Sequence, residues 1–375
     1  MPPLSILIKP VSDSCNMRCK YCFYCDEANK RSVHSYGTMQ ADTLEKLVMK
    51  ALSAAQGQCT FAFQGGEPTL AGLPFYQEFV RLVQKHNVKK LDVHFAIQTN
   101  GTLIDREWAG FLAQNGFLTG LSLDGTKEVN DRFRVDAQGG GTYTKVLHAA
   151  QLFDTAGAQY NILTTVTSAV AENVERIYRF FKKNGFQWQQ YIACLDPIGE
   201  RRGGHDYSVT PEQYGVFLKR LFDLWYLDWK HGTPISIRYF DNLVFLLMGQ
   251  PAEACGMMGH CTCQYVVEAD GGVYPCDFYV LDGYRLGDIE TQDFPDFDKK
   301  RRELRFIEKS LVPHEDCRAC PFGYLCRGGC RRDRDGFDGG PLQKNYLCPA
   351  YRAFFPYALP RLQELAQDVM KRSRP

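Results

Sequence analysis

Three cysteines fall within eight residues near the N-terminus, and this run limits what the chain can be more than any other feature. Cys15, Cys19 and Cys22 follow an apolar stretch, residues 4–11, that we expect to form the first β-strand. Three soft sulfur ligands on one loop suit zinc or an iron–sulfur cluster. Because a four-iron cluster needs four ligands, a three-cysteine site leaves one iron open as the candidate reactive position. The alternatives are a structural zinc site, or a disulfide with a spare thiol.

The composition adds a few restrictions. The chain has 375 residues, 15 cysteines and a formal net charge of +1, which does not favour nucleic acid or an anionic membrane as the main partner. No run of about 18 apolar residues occurs, and the N-terminus lacks the pattern of a signal peptide. We therefore expect a cytoplasmic protein. Since disulfides are rare in a reducing cytosol, most of the cysteines are expected to be metal ligands or core thiols.

After the cysteine loop, apolar strands alternate with amphipathic helices at short loop distances. Strands are predicted over 59–64, 93–98, 117–123, 161–167 and 187–194, and helices over 39–56, 74–86, 106–115, 143–156 and 174–184. With the first strand, this pattern predicts six βα units and a parallel sheet, either an incomplete barrel or a flat doubly wound sheet. Ligands should gather at the carboxyl ends of the strands, where the turns at Gly65-Gly66, Asn100-Gly101 and Asp124-Gly125 lie.

A second region begins near residue 250, where cysteines become dense again. Before and within it, helices are predicted over 211–230, 241–248 and 351–370, and a β-hairpin around Asp270-Gly271. The cysteines of this region are Cys255, Cys261, Cys263, Cys276, Cys317, Cys320, Cys326, Cys330 and Cys348. They are enough for two four-ligand sites with one thiol left over, which fits two iron–sulfur clusters or two structural zinc ions.

The Cys-x3-Cys-x2-Cys run with an aromatic residue after it resembles the signature of radical S-adenosylmethionine (SAM) enzymes, and the spacing from Cys317 onward resembles the SPASM domain that follows some of these cores. The resemblance implies a partial (β/α)6 barrel over 1–235, and a linker helix and SPASM domain over 236–375. It also implies three [4Fe-4S] clusters, of which the first, at Cys15, Cys19 and Cys22, binds SAM and splits it into methionine and a 5′-deoxyadenosyl radical. The ligands implied for the two auxiliary clusters are Cys255, Cys261, Cys276 and Cys330 for one, and Cys317, Cys320, Cys326 and Cys348 for the other.

Further motifs are similar to those of anaerobic sulfatase-maturating enzymes over essentially the whole chain. They are Tyr24, Gln64-Gly65-Gly66-Glu67-Pro68, Gln98-Thr99-Asn100-Gly101, Ser122-x-Asp124-Gly125, Arg134, Cys194-Leu195-Asp196-Pro197, 236–241 and 274–279. Such enzymes oxidise a Cys or Ser of a sulfatase, within a Cys/Ser-x-Pro-x-Arg segment, to Cα-formylglycine. The implied partners are an unfolded or nascent sulfatase polypeptide and a flavodoxin or ferredoxin-type reductant, with the chain itself a monomer. The alternatives are another SPASM enzyme that cross-links a ribosomal peptide and, in a different class, a zinc-stabilised binding module.

The resemblance also implies roles for single residues. Asp277 follows a predicted cluster ligand and is the candidate base that accepts the substrate's thiol or hydroxyl proton, while the auxiliary cluster takes the second electron. The residues expected to bind the cofactor are Tyr21, Gly65, Gly66, Glu67, Ser122, Arg134 and Leu195. The two glycines would bring bare backbone to the SAM ammonium, with Glu67 as its negative partner. The residues expected to bind the substrate peptide are Tyr24, Gln64, Gln98 and Arg238.

Each assignment has a purely structural alternative. The double glycine can be a plain turn, Asp277 can cap a turn, and Tyr24 can be a core residue. Small core or loop positions are expected for Cys25, Cys59 and Cys194, and no metal for Cys263. Four arginines beside Cys326 and Cys330 either offset the negative charge of a cluster and raise its reduction potential, or form a solvated basic turn; they are Arg327, Arg331, Arg332 and Arg334.

Overall fold

The computed structural model describes residues 3–372. In that part of the chain the strands are β1 (Leu4–Ile8), β2 (Gln58–Phe63), β3 (Asp92–Thr99), β4 (Phe117–Ser122), β5 (Gln159–Val166), β6 (Trp188–Ala193), β7 (Ser236–Ile237), β8 (Tyr265–Val267), β9 (Gly272–Tyr274) and β10 (Gly287–Asp288). The helices are α1 (Phe23–Asn29), α2 (Ala41–Ala54), α3 (Leu73–His86), α4 (Arg106–Gln114), α5 (Lys127–Phe133), α6 (Tyr143–Ala156), α7 (Ser168–Glu172), α8 (Val174–Lys183), α9 (Pro211–Lys230), α10 (Arg238–Leu247), α11 (Phe294–Glu303), α12 (Phe306–Ser310), α13 (Glu315–Arg318), α14 (Gly323–Cys326) and α15 (Cys348–Arg372).

The predicted alternation of strands and helices is confirmed, and most predicted bounds are close to the observed ones. The first strand is the main exception, because it ends at Ile8 rather than at residue 11. Pro10 has no backbone N–H to donate to a neighbouring strand, which explains the early end. Seven helices of the described chain were not predicted: α1, α5, α7, α11, α12, α13 and α14. Among the described residues, no helix is both long enough and apolar enough to cross a membrane.

Contacts divide the chain into two compact units, of which the first comprises residues 3–122, Arg134–Tyr160 and Cys263–Phe306. Strands β1, β2, β3 and β4 of this unit lie side by side and are parallel. Side chains from the sheet and from α3 form an aromatic core, in which the ring of Phe63 lies 4.8 Å from that of Phe79 and 4.9 Å from that of Tyr76. Burial of these large rings is the main source of stability on this face of the sheet.

The predicted hairpin is present, and its two strands belong to the sheet of the first unit. Strands β8 and β9 pair antiparallel, with Val266 opposite Tyr274. Strand β8 also pairs with β1 in parallel, from Ile6 opposite Tyr265 to Ile8 opposite Val267. The boundary between the compact units therefore does not follow the predicted domain boundary at residue 235, since residues 263–306 pack with the N-terminal strands.

A buried group of charges lies where β1 and β8 end. The Lys9 ammonium is 3.0 Å from a carboxylate oxygen of Glu268, and the Arg31 guanidinium is 2.6 Å from the same oxygen. All three side chains are almost completely buried. Burial opposes the charge of Glu268, but the two cations outweigh it and hold the pKa of this carboxyl below its usual value. The group therefore ties the two neighbouring strand ends together by charge.

The second unit comprises Leu123–Phe133, Asn161–Thr262 and 307–372, with strands β5, β6 and β7 parallel to one another. Its longest helices, α9 and α15, pack together, and the ring of Phe222 lies 5.7 Å from that of Phe354. Helix α9 begins with a capping box in which Thr210 and Gln213 satisfy each other's backbone N–H groups. The predicted helix 211–230 is confirmed at both ends.

Candidate active site and cluster-binding residues

The loop with the first three cysteines lies between β1 and α1 in the first unit. All three cysteine side chains are half-buried. Backbone hydrogen bonds hold the loop on two sides: the Arg18 N–H donates to the Val135 carbonyl (2.8 Å), and the Glu67 N–H donates to the Ser14 carbonyl (2.8 Å). Three thiols on one fixed loop are a donor set that fits an iron–sulfur cluster.

Asn100 fixes the same loop through its side chain. Its amide nitrogen donates to the side-chain oxygen of Asn16 at 2.8 Å, while its own amide oxygen accepts from the Thr102 backbone N–H at 2.9 Å. Asn16 in turn donates to the Thr102 hydroxyl at 2.8 Å. Sequence reasoning quoted Asn100 only as part of a motif and assigned it no function. Its place in the turn after β3 was the available signal.

The double glycine after β2 is required by its close neighbours. Both glycines have positive φ angles, +84° at Gly65 and +47° at Gly66. A Cβ on Gly66 would lie 2.2 Å from the Ser14 carbonyl oxygen, and one on Gly65 would lie 2.4 Å from the Lys9 side chain. Both distances are too short for any side chain, so the turn can approach the cysteine loop only as glycine. Contact of these backbones with SAM stays a prediction.

Glu67 is engaged by donors of its own chain. One oxygen accepts hydrogen bonds from the Thr69 N–H (3.1 Å), the Thr69 hydroxyl (2.6 Å) and the Thr99 hydroxyl (2.7 Å). The other oxygen accepts from the Asn100 N–H at 2.7 Å. Burial raises the pKa of Glu67 even though these bonds act in the opposite direction. The carboxylate thus joins the turns after β2 and β3, and its predicted pairing with the SAM ammonium remains a prediction.

Arg134 lies beside the cysteine loop, and its contact with the cofactor stays a prediction. Its guanidinium donates to the Tyr21 hydroxyl at 3.0 Å, so two of the predicted cofactor residues are brought together. Burial raises the pKa of Cys15 to about 11, and the charge of Arg134 acts against this rise. Ser122 is buried at the end of β4. Leu195 lies in the second unit and is half-buried.

Asp277 begins a short turn directly after Cys276 and is 7% exposed. One of its carboxylate oxygens accepts a hydrogen bond from the Tyr24 hydroxyl at 2.6 Å. The other, Oδ1, is buried, and within the described part of the chain no group donates to it. Burial raises the pKa of Asp277, while Lys9 and the hydrogen bond from Tyr24 act in the opposite direction.

Lys9 is the functional candidate that sequence reasoning missed at this site. Its ammonium lies 4.9 Å from the centre of the Tyr24 ring and contributes charge that favours the ionised form of Asp277. A lysine after an apolar strand gives no sign of burial, and its partner Glu268 is remote in the chain. No sequence signal was therefore available for this residue.

The predicted substrate-binding residues differ in their surroundings. Tyr24 contacts Asp277, as above, and is not free to contact a substrate with its hydroxyl proton. Gln64 and Gln98 are half-buried at or near the ends of β2 and β3, and neither side chain forms a hydrogen bond within residues 3–372. Arg238 lies in the second unit at the start of α10, is exposed, and donates to the Gln190 side chain at 3.1 Å.

The cysteines of the second unit form two groups. Burial raises the pKa of Cys330, and Cys255 and Cys261 raise it further. Burial raises the pKa of Cys326 to about 11, with further contributions from Cys348, Cys317 and Cys320. These groups match the implied ligand sets except for Cys276, which lies in the first unit. In the described residues, no three His, Cys, Asp or Glu side chains are arranged to hold a single metal ion.

The remaining cysteines differ in their surroundings. Cys59 and Cys194 are buried, as expected of core thiols. Cys25 is exposed on α1 and donates a hydrogen bond that lowers the pKa of Cys22 to about 6. Cys263, to which no metal was assigned, lies against Arg301. The prediction of a solvated basic turn is wrong for Arg331, Arg332 and Arg334, because all three are buried.

The chain matches the radical SAM superfamily over residues 10–181 and the SPASM iron–sulfur cluster-binding domain over residues 255–321. A solved structure of anSMEcpe with bound AdoMet and the peptide Cp18Cys superposes with a TM-score of 0.94, at 48% identity, over 98% of this chain and all of that chain. This match confirms the predicted α/β fold with a radical SAM core and an SPASM domain.

Relatives that match over nearly their whole length show which family of radical SAM enzymes the chain belongs to. A cysteine-type anaerobic sulfatase-maturating enzyme of Clostridium perfringens is 49% identical over 98% of this chain and 100% of its own length. A serine-type anaerobic sulfatase-maturating enzyme of Bacteroides thetaiotaomicron is 31% identical over 100% of this chain and 94% of its own length. Identity at this level along the whole chain shows that the protein belongs to the family of anaerobic sulfatase-maturating enzymes.

Proposed function

We propose that this enzyme oxidises a cysteine of a sulfatase polypeptide to Cα-formylglycine. Three cysteine-type relatives are 44–49% identical to the chain, whereas the serine-type relatives are 26–31% identical. The solved relative with a peptide carries one named Cp18Cys. This difference in identity favours cysteine over serine as the target residue.

Each set of cysteine thiols is assigned to one of the proposed iron–sulfur clusters. Cys15, Cys19 and Cys22 would hold the SAM-binding [4Fe-4S] cluster, and the two SPASM groups together with Cys276 would hold the auxiliary clusters. Together with SAM, the bound clusters supply a 5′-deoxyadenosyl radical that takes a Cβ hydrogen of the target, and an acceptor for the second electron. Arg134 supports the first site, because its positive charge lies beside thiols that must be deprotonated to bind iron.

The observation that carries the proposal is the unpartnered Oδ1 of Asp277. Oxidation of a cysteine removes its thiol proton, a Cβ hydrogen and one further electron and gives a thioaldehyde, which water hydrolyses to the aldehyde with release of hydrogen sulfide. A base must therefore be held beside the substrate to take the thiol proton. Tyr24 fixes one oxygen of Asp277, which leaves Oδ1 to accept that proton. Burial raises the pKa of the carboxyl and thus strengthens the base, while Lys9 keeps the ionised form accessible.

Two further side chains are suited to hold the peptide. Gln64 and Gln98 have no side-chain hydrogen bond within the described chain, and their amide groups are complementary to an extended peptide backbone. We include Arg238 as a peptide contact because it is exposed. Tyr24 is assigned instead to the orientation of Asp277. The proposal also includes a monomeric, cytoplasmic enzyme and a low-potential flavodoxin or ferredoxin-type electron donor.

The test is anaerobic incubation of the reconstituted enzyme with SAM, dithionite and two peptides that differ only in Cys or Ser before the x-Pro-x-Arg segment. Mass spectrometry should show an aldehyde product, formed more readily from the Cys peptide. An enzyme that forms thioether or carbon–carbon cross-links would instead give a peptide that has lost two hydrogens and does not react with a carbonyl reagent. Formation of 5′-deoxyadenosine without aldehyde from either peptide would contradict the proposal.

A further inference from the structure

Four arginines lie close to Cys326 and Cys330 in the chain, and the structure separates their surroundings. Arg327 is exposed, and its Nε donates to the Tyr324 carbonyl at 3.1 Å. The other three are buried: Arg331, Arg332 and Arg334. A buried guanidinium loses its water and must find partners in the protein, so the partners of these three indicate what each one does.

Arg331 and Arg332 each have a partner of their own. The Nε of Arg331 is 3.3 Å from a carboxylate oxygen of Asp335, and both side chains are buried. Arg332 donates to the Asp196 carbonyl at 2.9 Å and lies 4.8 Å from the centre of the Phe337 ring. The positive charge of Arg331 is offset by the Asp335 carboxylate. The guanidinium of Arg332 interacts with the Asp196 carbonyl and with the face of the Phe337 ring.

Arg334 is 5% exposed and is held by a single neutral group. Its Nη2 donates to the Ser310 carbonyl at 3.0 Å. Its Nε is buried, and within residues 3–372 nothing accepts a hydrogen bond from it. The neighbouring carboxylate of Asp333 forms its ion pair with Arg202, at 3.1 Å, and the charge of Arg334 acts on this carboxylate without forming an ion pair with it in the described part of the chain. Arg334 therefore keeps a buried positive charge and an unused donor.

Arg334 lies close to both cysteine groups of the second unit. Together with Cys317, His314 and Ser310 it lines a cavity of about 230 Å³. Cys317 belongs to the group with Cys326, while the Ser310 hydroxyl accepts the backbone N–H of Cys261 at 2.8 Å, in the other group.

We propose that Arg334 is a positioning residue for the auxiliary clusters, whose buried charge raises the reduction potential of the cluster held by Cys255, Cys261 and Cys330. This inference rests on the proposed assignment of these thiols to an iron–sulfur cluster. A tetrathiolate cluster is negatively charged and becomes more so when it takes an electron. A buried cation beside it therefore stabilises the reduced form more than the oxidised form. The unused Nε is available to donate to a cluster sulfur.

The experiment is a redox titration of the full-length, reconstituted enzyme, followed by electron paramagnetic resonance. Signals that do not change when SAM is added belong to the auxiliary clusters. At the potential where half of this cluster is reduced in the unmodified enzyme, Arg334→Gln should lower the ratio of reduced to oxidised cluster at least about tenfold, which is about 59 mV for one electron. The matched control is Arg327→Gln, which removes an exposed arginine and should leave the ratio within about twofold.

Arg334→Gln with full iron content and an unchanged midpoint would overturn the inference. If Arg334→Gln loses its auxiliary iron, the role of the charge is tested with Arg334→Lys instead, because lysine keeps the positive charge in a similar volume. The lysine variant should retain iron and a ratio within about threefold of the unmodified enzyme; a loaded lysine variant with a tenfold shift would show that charge is not the cause. Failure of the cluster assignment itself is distinguishable, since the unmodified enzyme would then lack the SAM-insensitive signal altogether.

Discussion

Replacement of Asp277 by Asn removes the proposed base with little change of shape. The amide oxygen of Asn can still accept the hydrogen bond that Tyr24 donates to Oδ2. The amide cannot take up a proton, so the group at the position of Oδ1 loses its proposed task. Folding and cluster binding should therefore survive, while the step that removes the substrate's proton should fail.

The size of the effect follows from what else is nearby. A positioned general base contributes about 10²–10⁴-fold to a rate, or about 3–5 kcal/mol of barrier. Glu268, a second buried carboxylate beside Lys9, is neutralised by two cations and is not free to replace Asp277. We therefore expect the aldehyde yield per unit time to fall at least about 100-fold.

The assay follows two products of the same reaction, 5′-deoxyadenosine and peptide aldehyde. In the unmodified enzyme both should form together. In Asp277→Asn, deoxyadenosine should continue to form while aldehyde is lost, so that the two are uncoupled. Asp282→Asn is a suitable control, because Asp282 lies in the same segment and its carboxylate accepts only from the exposed Ser32 N–H at 2.8 Å. Undiminished aldehyde, or parallel loss of both products with loss of iron, would refute the assigned role.

Three further substitutions test the structure around the site. Gly66→Ala should release the iron bound at the first three cysteines, because the new Cβ would lie 2.2 Å from the Ser14 carbonyl oxygen. The control is Gly57→Ala, which has open space and a positive φ angle, and this variant of the enzyme should retain that iron in the same iron determination. Glu268→Gln leaves the Lys9 ammonium and the Arg31 guanidinium without the carboxylate that they share, and should lower the free energy of unfolding by about 3–5 kcal/mol, seen as a lower denaturation midpoint. Burial raises the pKa of Asp241 to about 6, so the folded state holds this proton more tightly than the unfolded state, and stability falls as pH rises through that value. Near pH 7.5, Asp241→Asn should therefore raise the free energy of unfolding by at most about 3 kcal/mol, seen as a higher unfolding temperature. Near pH 4 the unfolding temperature should not change. An equal effect at both pH values would contradict this reasoning.

Local signals were enough to predict much of the fold. The helix over 211–230 was predicted with the correct ends because its start carries Thr210, Pro211 and Gln213, which cap a helix through contacts within one turn. The hairpin around Asp270-Gly271 was predicted for a similar reason, since two residues determine a tight turn. Both features depend on residues that are neighbours in sequence, where pattern and structure are directly linked.

Features that depend on contacts between residues far apart in the chain could not be predicted from the sequence. Arg31 and Glu268 are 237 residues apart in the chain, and nothing in either segment shows that they share a buried salt bridge. Glu67 was predicted, from the family resemblance, as the negative partner of the SAM ammonium. Its hydrogen-bond donors within the chain became visible only when β2 and β3 were placed side by side. For the same reason the pattern could not separate the buried Arg334 from the exposed Arg327.

The parallel pairing of β1 with β8 has a consequence for how the chain is made. The partner of Ile6 is Tyr265, so most of the polypeptide must leave the ribosome before this edge of the sheet can close. Until then the growing chain carries an open strand edge, which is a template for aggregation. A truncated version that ends before the hairpin would keep that edge permanently, and would not be a shorter working enzyme.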